Sequence, residues 1–227
     1  MLDEVVCSFI RACREGRSPG DVLVIEAPPR HGKSEFISKY LPAWYLGRYP
    51  ERRVMLASYE ANFARTWGRR ARTLLEEFGP SMFGVSVSDS QSAAADWETD
   101  HGGGMVTAGA GGSLTGRGAD LLIIDDPIKN AEDAMSEVIR DGLWDWWQST
   151  ASTRIEPGGC AIIMATRWHA EDLSGRVLSA FKTGEGSPVA ELRLPAIAEE
   201  NDPLGRNHGE ALWPDRWPIE ALEKRRR

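Results

Sequence analysis

A Gly-Lys-Ser turn between an apolar run and a helical pattern constrains the fold more than any other feature of this sequence. The apolar run covers residues 22–25, and residues 34–41 have the pattern of a helix opening. A strand, a tight turn and a helix N-terminus form the context of a phosphate-binding loop, because backbone N–H groups and the helix dipole converge on one anion. Ala27 stands where the usual pattern has its first glycine. We therefore predict a nucleotide site here, against the alternative of a chance Gly-Lys-Ser turn.

Each part of the turn has an expected role towards a nucleotide. Gly32 lets the backbone approach the phosphates, Lys33 neutralises their charge, and Ser34 is a ligand for Mg²⁺. Arg30 lies inside the loop, where its guanidinium is suited to stabilising charge on a transferred phosphoryl group. We interpret His31 as a residue that shapes the loop rather than as a base. The predicted ATP-binding residues are Pro29, Arg30, His31, Gly32, Lys33, Ser34 and Glu35.

Composition excludes several classes of protein. The 227 residues include 41% hydrophobic residues, as in an ordinary globular chain, and no apolar run of about 18 residues that would span a membrane. The chain starts without the basic region of a signal peptide, and its three cysteines lack metal-ligand spacing, which favours a reducing cytoplasm. The net charge of −7 confines any contact with DNA to a local patch. Arg65, Arg69 and Arg72 form one candidate stripe, although a solvated helix face explains them slightly better.

Strand-like runs alternate with helical patterns along most of the chain. Strands are predicted at residues 54–59, 120–126, 160–166 and 191–194, and helices at 4–16, 62–78, 131–149 and 171–181. Residues 79–118 are rich in Gly, Ser and Ala, which predicts hairpins and mobile loops with short β-type pieces at 82–87 and 104–108. The alternation predicts an α/β fold with a mainly parallel sheet.

Two adjacent acids end the most apolar of these strands. Ligands of open α/β sheets bind at the carboxyl ends of the strands. Asp125 is predicted to share a Mg²⁺ with Ser34 and the phosphates, because an uncompensated carboxylate in that position would be costly. Asp126 is suited to orienting or deprotonating the attacking water. The alternative is that both acids cap the following helix.

Two further residues complete the set of catalytic candidates. Thr166 ends a neighbouring strand, where its hydroxyl could sense the γ-phosphate, or where threonine could serve β-propensity alone. Arg117 follows a glycine-rich loop and could stabilise the transferred phosphoryl in its own subunit or, as an arginine finger, in a neighbouring one. The alternative for Arg117 is a surface arginine. The predicted catalytic residues are Lys33, Asp126, Arg30, Arg117 and Thr166.

Three segments resemble the ATPase domain of tailed-bacteriophage large terminase subunits. They are APPRHGKSE at residues 27–35, TGRGADLLIIDDPIKN at 115–130 and MATRWHAEDLSGR at 164–176. The stretch GEALWP at 209–214 is similar to the segment that leads to the nuclease domain of that family. The resemblance implies a P-loop NTPase fold of the additional-strand type, with helices on both faces of a mainly parallel sheet.

The resemblance also implies an activity and partners. It implies a Mg²⁺-dependent ATPase that drives viral double-stranded DNA through the portal into a procapsid, with a small terminase subunit as a further partner. Such subunits would form a homomeric ring when assembled, be monomers in isolation, and act in the cytoplasm of the infected bacterium while transiently docked on the procapsid. By resemblance, Arg30 is the arginine of an altered phosphate loop, Asp125 the acid on the metal side, and Thr166 part of a coupling motif. Arg117 resembles the family position proposed to act in trans within a ring of subunits.

Two departures from the family pattern qualify this expectation. Asp126 stands where the family often has a glutamate and is one methylene shorter, so Glu132 and Asp133 are the nearby substitutes. We expect residues 1–198 to form the ATPase domain and 199–227 a linker toward a nuclease domain outside this chain, so nuclease activity is not expected here. The competing hypotheses are a helicase or small-molecule kinase built on the same loop, and an assembly module that binds ATP without hydrolysing it.

Overall fold

An eight-stranded sheet organises the computed structural model, which describes residues 2–18, 20–114, 116 and 118–226. The strands are β1 Val22–Glu26, β2 Arg53–Ser58, β3 Val87–Ala93, β4 Asp96–Thr99, β5 Gly104–Gly109, β6 Ala119–Asp125, β7 Ile155–Ala165 and β8 Val189–Arg193. The helices are α1 Leu2–Arg14, α2 Leu41–Arg48, α3 Ala61–Phe83, α4 Ala131–Met135, α5 Glu137–Trp146, α6 Leu173–Thr183 and α7 Ile219–Arg226. Wider π-helical turns cover Glu35–Tyr40 and Trp147–Ala151, and a 3₁₀ turn covers Ser152–Arg154.

The order of the strands confirms the predicted fold class. They run β3-β4-β5-β2-β6-β7-β1-β8 across the sheet, and every neighbouring pair from β5 to β8 is parallel. The first two strands of this order join the edge in antiparallel pairs. β7 lies between β1, which leads into the Gly-Lys-Ser turn, and β6, which ends in the two acids. This intervening strand is the additional strand that the resemblance implied.

Hydrophobic layers cover both faces of the sheet. Leu121 and Ile123 of β6 belong to the layer formed with α1, α2 and α3, whereas Leu122 and Ile124 belong to the layer that contains Trp146. The alternation stays in phase across the sheet, because Leu56, Ile123 and Ile162 are register partners in the first layer. Burial on both faces explains why β6 is apolar at nearly every position.

The helix predicted over 62–78 extends further, to Phe83. It continues through Pro80 because its end packs on α2, where a Cβ added at Gly47 would lie 2.3 Å from the Phe83 ring. Gly84 then ends the helix in the left-handed conformation, with φ of 70°. The strand piece predicted at 82–87 is therefore wrong up to residue 86, and β3 starts at Val87.

The helix predicted over 131–149 is divided. Ser136 has an extended backbone, with φ of −73° and ψ of 114°, and separates α4 from α5. The Asn130 side chain caps α4 by accepting a hydrogen bond from the Asp133 N–H at 2.8 Å. The tryptophans of this region, Trp146 and Trp147, are buried in the second hydrophobic layer, as a packing role requires.

The segment after β8 folds back on itself. Residues around Ile197 and Ala211 form a short antiparallel bridge. The Arg206 guanidinium fixes the loop between them, because it donates to Asp202 Oδ2 at 2.5 Å and to the Pro195 carbonyl at 2.9 Å.

The division of the chain into an ATPase domain, residues 1–198, and a linker, residues 199–227, stays a prediction. In the part of the chain that the structure describes, no helix is both long and apolar enough to cross a bilayer.

Candidate functional site

The turn after β1 has a strained backbone. Arg30 and Gly32 both lie in the left-handed region, with φ of 62° and 78°. The Arg30 carbonyl accepts a hydrogen bond from the Trp217 Nε1 at 3.2 Å, and the Phe36 N–H donates to the Gly32 carbonyl at 3.1 Å. Left-handed residues within a turn are typical of the concave backbone arrangements that bind anions. The loop therefore has the local geometry that a phosphate site requires.

Lys33 joins the turn to the ends of β6 and β7. Its ammonium group donates to Thr166 Oγ1 at 2.6 Å and forms an ion pair with the Asp126 carboxylate. The Lys33 side chain is only 7% exposed, so its charge depends on this carboxylate for compensation. Three residues that the sequence placed at three separate strand ends are thus in direct contact.

Asp126 is held in an unusual backbone conformation. Its φ is 43°, in the left-handed region that costs an ordinary L-residue roughly 1 kcal/mol. The Asp126 N–H donates to the Met164 carbonyl at 2.9 Å, and its carbonyl accepts from the Tyr59 N–H at 3.2 Å. The Thr166 N–H donates to Asp126 Oδ1 at 2.8 Å. Three neighbouring backbones therefore fix the carboxylate beside Lys33.

Asp125 is fully buried at the end of β6. Its two oxygens accept hydrogen bonds from the Ser34 hydroxyl at 3.2 Å and the Ser38 hydroxyl at 2.7 Å. Burial, with a further contribution from the charge on Asp126, raises the pKa of Asp125 to about 6. Among the described residues, no lysine or arginine forms an ion pair with this carboxylate. Asp125 is therefore a buried acid that lacks a directly bonded cation.

The donor set formed by Ser34 and Asp125 fits Mg²⁺. Hydroxyl and carboxylate oxygens are hard ligands, and Mg²⁺ in nucleotide sites usually has one or two protein ligands, with water and phosphate completing its shell. Within the described ranges no group of three or more His, Cys, Asp or Glu side chains could hold a metal by itself. Sequence reasoning missed Ser38, although its position four residues after Ser34 puts it on the same helix face.

A partly buried ion-pair cluster supports the ends of β1 and β7. Arg167 forms an ion pair with Glu26, the last residue of β1, and its Nε donates to Asp172 Oδ2 at 2.9 Å. Asp172 also caps α6, since its Oδ1 accepts from the Gly175 N–H at 3.0 Å. One guanidinium thus links the strand before the turn to the helix after β7. Sequence reasoning missed this cluster.

The segment after β8 covers the turn. The rings of His31 and Trp217 stack with centroids 6.1 Å apart, and Trp213 lies 3.7 Å from the Cβ position of Gly32. Burial lowers the pKa of His31, and the charges on Arg216 and Arg206 lower it further. The two tryptophans lie in a Pro- and Gly-rich stretch without helical or strand periodicity, so no sequence signal pointed to these contacts.

Other predicted residues lie apart from this cluster. The Glu35 carboxylate faces outward and pairs with Arg70 at 3.0 Å and Lys39 at 3.3 Å. Arg30 is exposed, and the Pro29 carbonyl lies 2.9 Å from His31 Nδ1. Glu132 is exposed in the first turn of α4 beside Asp133. Arg117 lies outside the described residues.

Comparison with known proteins places the chain in a family. The model described as "Terminase large subunit, T4likevirus-type, N-terminal" matches residues 24–225. Among solved structures, the large terminase of bacteriophage HK97 has a TM-score of 0.58 at 15% identity, over 97% of this chain and 46% of that one. The large terminase of a thermophilic bacteriophage matches in two complexes. The complex with ADP has a TM-score of 0.50, and that with ATP-gamma-S has 0.51, both at 13% identity and over 82% of this chain.

The chain spans less than half the length of these structures, since it covers 46%, 44% and 43% of them. No curated protein matches it. At such low identities the structural likeness establishes a shared fold, whereas the family match extends over most of the chain. The chain therefore belongs to the T4likevirus-type terminase large subunit family and corresponds to its N-terminal region.

Proposed function

We propose that this chain is the ATPase domain of a viral DNA-packaging motor, which hydrolyses ATP to ADP and phosphate and uses the free energy to move double-stranded DNA into a procapsid. The observation that carries the proposal is the contact of Lys33 with Asp126 and Thr166, next to the Ser34–Asp125 pair. Membership of the terminase large subunit family supports it, as do the complexes of a fold relative with ADP and ATP-gamma-S.

Lys33 changes partners when a nucleotide binds. The phosphates occupy the turn at Gly32, and a phosphate oxygen replaces the Asp126 carboxylate as the anion beside the ammonium group. Asp126 then becomes free to accept a hydrogen bond, and ultimately a proton, from the attacking water. Thr166 remains beside both groups, where its hydroxyl reports whether the γ-phosphate is present.

Ser34 and Asp125 would hold Mg²⁺ in this site. When bound, the ion neutralises phosphate charge. Asp125 must be ionised for this role, and the Ser38 hydroxyl keeps its carboxylate oriented. Arg30 lies on the exposed side of the turn, and its guanidinium is assigned to the charge that develops on the transferred phosphoryl.

The assembled motor is proposed to be a homomeric ring. Arg117 would act in trans on the nucleotide of a neighbouring subunit. The partners are the DNA, the portal of the procapsid and a small terminase subunit, in the cytoplasm of the infected bacterium. Family membership supports this set of partners.

Phosphate release tests the proposal. We expect slow release by the chain with ATP and Mg²⁺, stimulation by procapsids and DNA together, and loss of release in Lys33→Ala. The matched control is Lys182→Ala, which removes an exposed lysine from α6 and should leave release unchanged. ATP binding without release in the wild type would favour the assembly module, whereas phosphate transfer to a small molecule would favour a kinase.

A further inference from the structure

A small cavity lies between the ends of β6 and β7 and the first turn of α6. Its volume is about 10 Å³, close to the smallest that admits one water molecule. Asp126 and Thr166 line it from the strand ends, and Ser174 lines it from the helix. Apolar side chains, among them Ile128 and Leu173, form other parts of its wall. The cavity therefore joins two residues of the candidate site to a helix that has no assigned role there.

The Ser174 hydroxyl is buried without a protein partner. Ser174 is 1% exposed, and no group in the described ranges bonds its Oγ. A hydroxyl that is removed from water and left unbonded costs about as much free energy as a lost hydrogen bond. Proteins satisfy most buried polar groups, with ordered water where no protein group is in reach. A water molecule in the cavity would satisfy this hydroxyl.

Asp126 and Thr166 also have hydrogen-bonding capacity to spare. Asp126 Oδ1 accepts from Lys33 and from the Thr166 N–H, whereas no described group donates to Asp126 Oδ2. Thr166 Oγ1 accepts from Lys33, and its own proton goes to no acceptor in the described part of the chain. By contrast, the two oxygens of Asp172 on the same cavity accept from a backbone N–H and a guanidinium. Three groups of the wall can thus bond a water, and buried waters make about three hydrogen bonds.

We propose that this cavity holds one water molecule, which bonds Ser174 Oγ and at least one of the Asp126 and Thr166 side chains. Ser174 is then a positioning residue, because the water links the first turn of α6 to the acid and the hydroxyl that the reaction uses. The positioning role rests on the proposed function, since Asp126 and Thr166 are catalytic only there. The water itself requires no nucleotide.

The water matters most when a phosphate oxygen takes Lys33 from Asp126. The carboxylate then loses its ion pair and keeps the bond from the Thr166 N–H at 2.8 Å. A further hydrogen bond from the water limits rotation of the carboxylate while it faces the attacking water. Loss of this constraint misplaces a catalytic group without removing a contact to ATP, so it lowers kcat rather than raising KM.

Crystal structures of the nucleotide-free chain test for the water. The wild type should contain one ordered water within about 3.2 Å of Ser174 Oγ and of a side-chain oxygen of Asp126 or Thr166. Ser174→Ala should lose it. A wild-type Ser174 hydroxyl bonded to a protein group, or a cavity without density where other buried waters are seen, would overturn the proposal. Retention of the water in the variant would overturn the role of Ser174.

Thermal unfolding distinguishes a hydrated hydroxyl from an unsatisfied one. If Ser174 bonds a water, Ser174→Ala removes a hydrogen bond and should lower the unfolding temperature by about 2–4 °C. If the hydroxyl is unsatisfied, the alanine removes a cost and the unfolding temperature should rise, which would contradict the proposal. Ser179→Ala is the matched control, because Ser179 is an exposed serine on the same helix. It should not lower the unfolding temperature, since alanine favours a helix.

Phosphate release tests the positioning role. We expect kcat of Ser174→Ala to fall about 3- to 10-fold, the range of one hydrogen bond, with KM for ATP unchanged. Ser179→Ala should change neither. An unchanged kcat, or a change in KM alone, would overturn the positioning role. A wild type that releases no phosphate would overturn the proposed function and the positioning role together, whereas the crystal structures and the unfolding temperatures would still decide on the water.

Discussion

The Lys33 ammonium and the Asp126 carboxylate form a largely buried ion pair between the phosphate turn and the end of β6. The same ammonium donates to Thr166 Oγ1 at 2.6 Å. A lysine that is 7% exposed is costly to leave without an anion, and the Asp126 carboxylate supplies one. In the proposed function, nucleotide binding is an exchange of anions at Lys33, and the exchange releases the acid that the proposed reaction requires.

Asp126→Asn should separate binding from hydrolysis. The amide keeps the shape of the side chain but cannot take a proton from water, so we expect phosphate release to fall about 100-fold or more. ATP affinity should stay the same or rise, because Lys33 loses a competing anion. Phosphate release and calorimetry measure the two effects.

Asp133→Asn is the control for this prediction, since Asp133 is the alternative acid at the start of α4. It should retain turnover. Loss of turnover in Asp133→Asn with retention in Asp126→Asn would assign the catalytic acid to α4.

Asp125→Asn should stabilise the nucleotide-free protein at pH 7. The folded-state pKa of Asp125 is raised to about 6 from 3.8, so wild-type stability falls as pH rises through this interval. An asparagine has no charge to bury. We therefore expect the variant to gain roughly 1–3 kcal/mol in the free energy of unfolding at pH 7, and less at pH 4. Urea unfolding at both pH values measures it.

Asp145→Asn, which neutralises an exposed acid on α5, should show no such pH-dependent gain. If Asp125→Asn changed the free energy of unfolding equally at pH 4 and pH 7, the gain would not come from removing the buried charge of Asp125.

Arg167→Ala should destabilise the fold. It removes the cation between Glu26 and Asp172, whose side chains are 12% and 6% exposed. Asp172 would then keep only its hydrogen bond from the Gly175 N–H, and Glu26 only the Arg193 guanidinium at 4.0 Å. We expect a loss of about 3 kcal/mol in the free energy of unfolding, measured in urea. Arg193→Ala is the control, because that exposed guanidinium lies 4.0 Å from Glu26 and should contribute less than about 1 kcal/mol. Similar losses in both variants would refute a special role for Arg167.

Arg117→Ala should abolish turnover in the assembled motor and leave ATP binding intact. The residue lies outside the described part of the chain, so this expectation rests on the sequence. Mixed assemblies test it: Lys33→Ala subunits, which retain Arg117, should restore turnover to Arg117→Ala subunits. Absence of restoration would argue against action in trans.

Strands and helices with a strong local pattern of apolar residues were predictable from the sequence. All seven residues of β6 are buried, and such a strand needs the continuous apolar run that identified it. The polar strand β3 pairs on only one side at the edge of the sheet, so its sequence carries no apolar run. The extension of α3 to Phe83 depends on the space at Gly47, which lies 36 residues earlier in the chain.

The candidate site was predictable where a residue suited to binding phosphate or Mg²⁺ directly follows a predicted strand. Lys33, Asp126 and Thr166 follow strands, and the topology of a parallel sheet brings strand ends to one edge. The contacts of Trp213 and Trp217 with the turn were not predictable, because they join distant segments and follow no periodic pattern. Ser38 and Arg167 act through buried partners that only the fold brings near.

A crystal structure of the chain with Mg²⁺ and a non-hydrolysable ATP analogue would show whether the turn at Gly32 and Asp125 converge on one magnesium–triphosphate. We expect one Mg²⁺ about 2.1 Å from Ser34 Oγ, with Asp125 bound to it directly or through a coordinated water. We also expect Lys33 to leave Asp126 for a phosphate oxygen. An analogue bound elsewhere, or a Lys33–Asp126 pair that persists with the turn occupied, would refute the proposed nucleotide site.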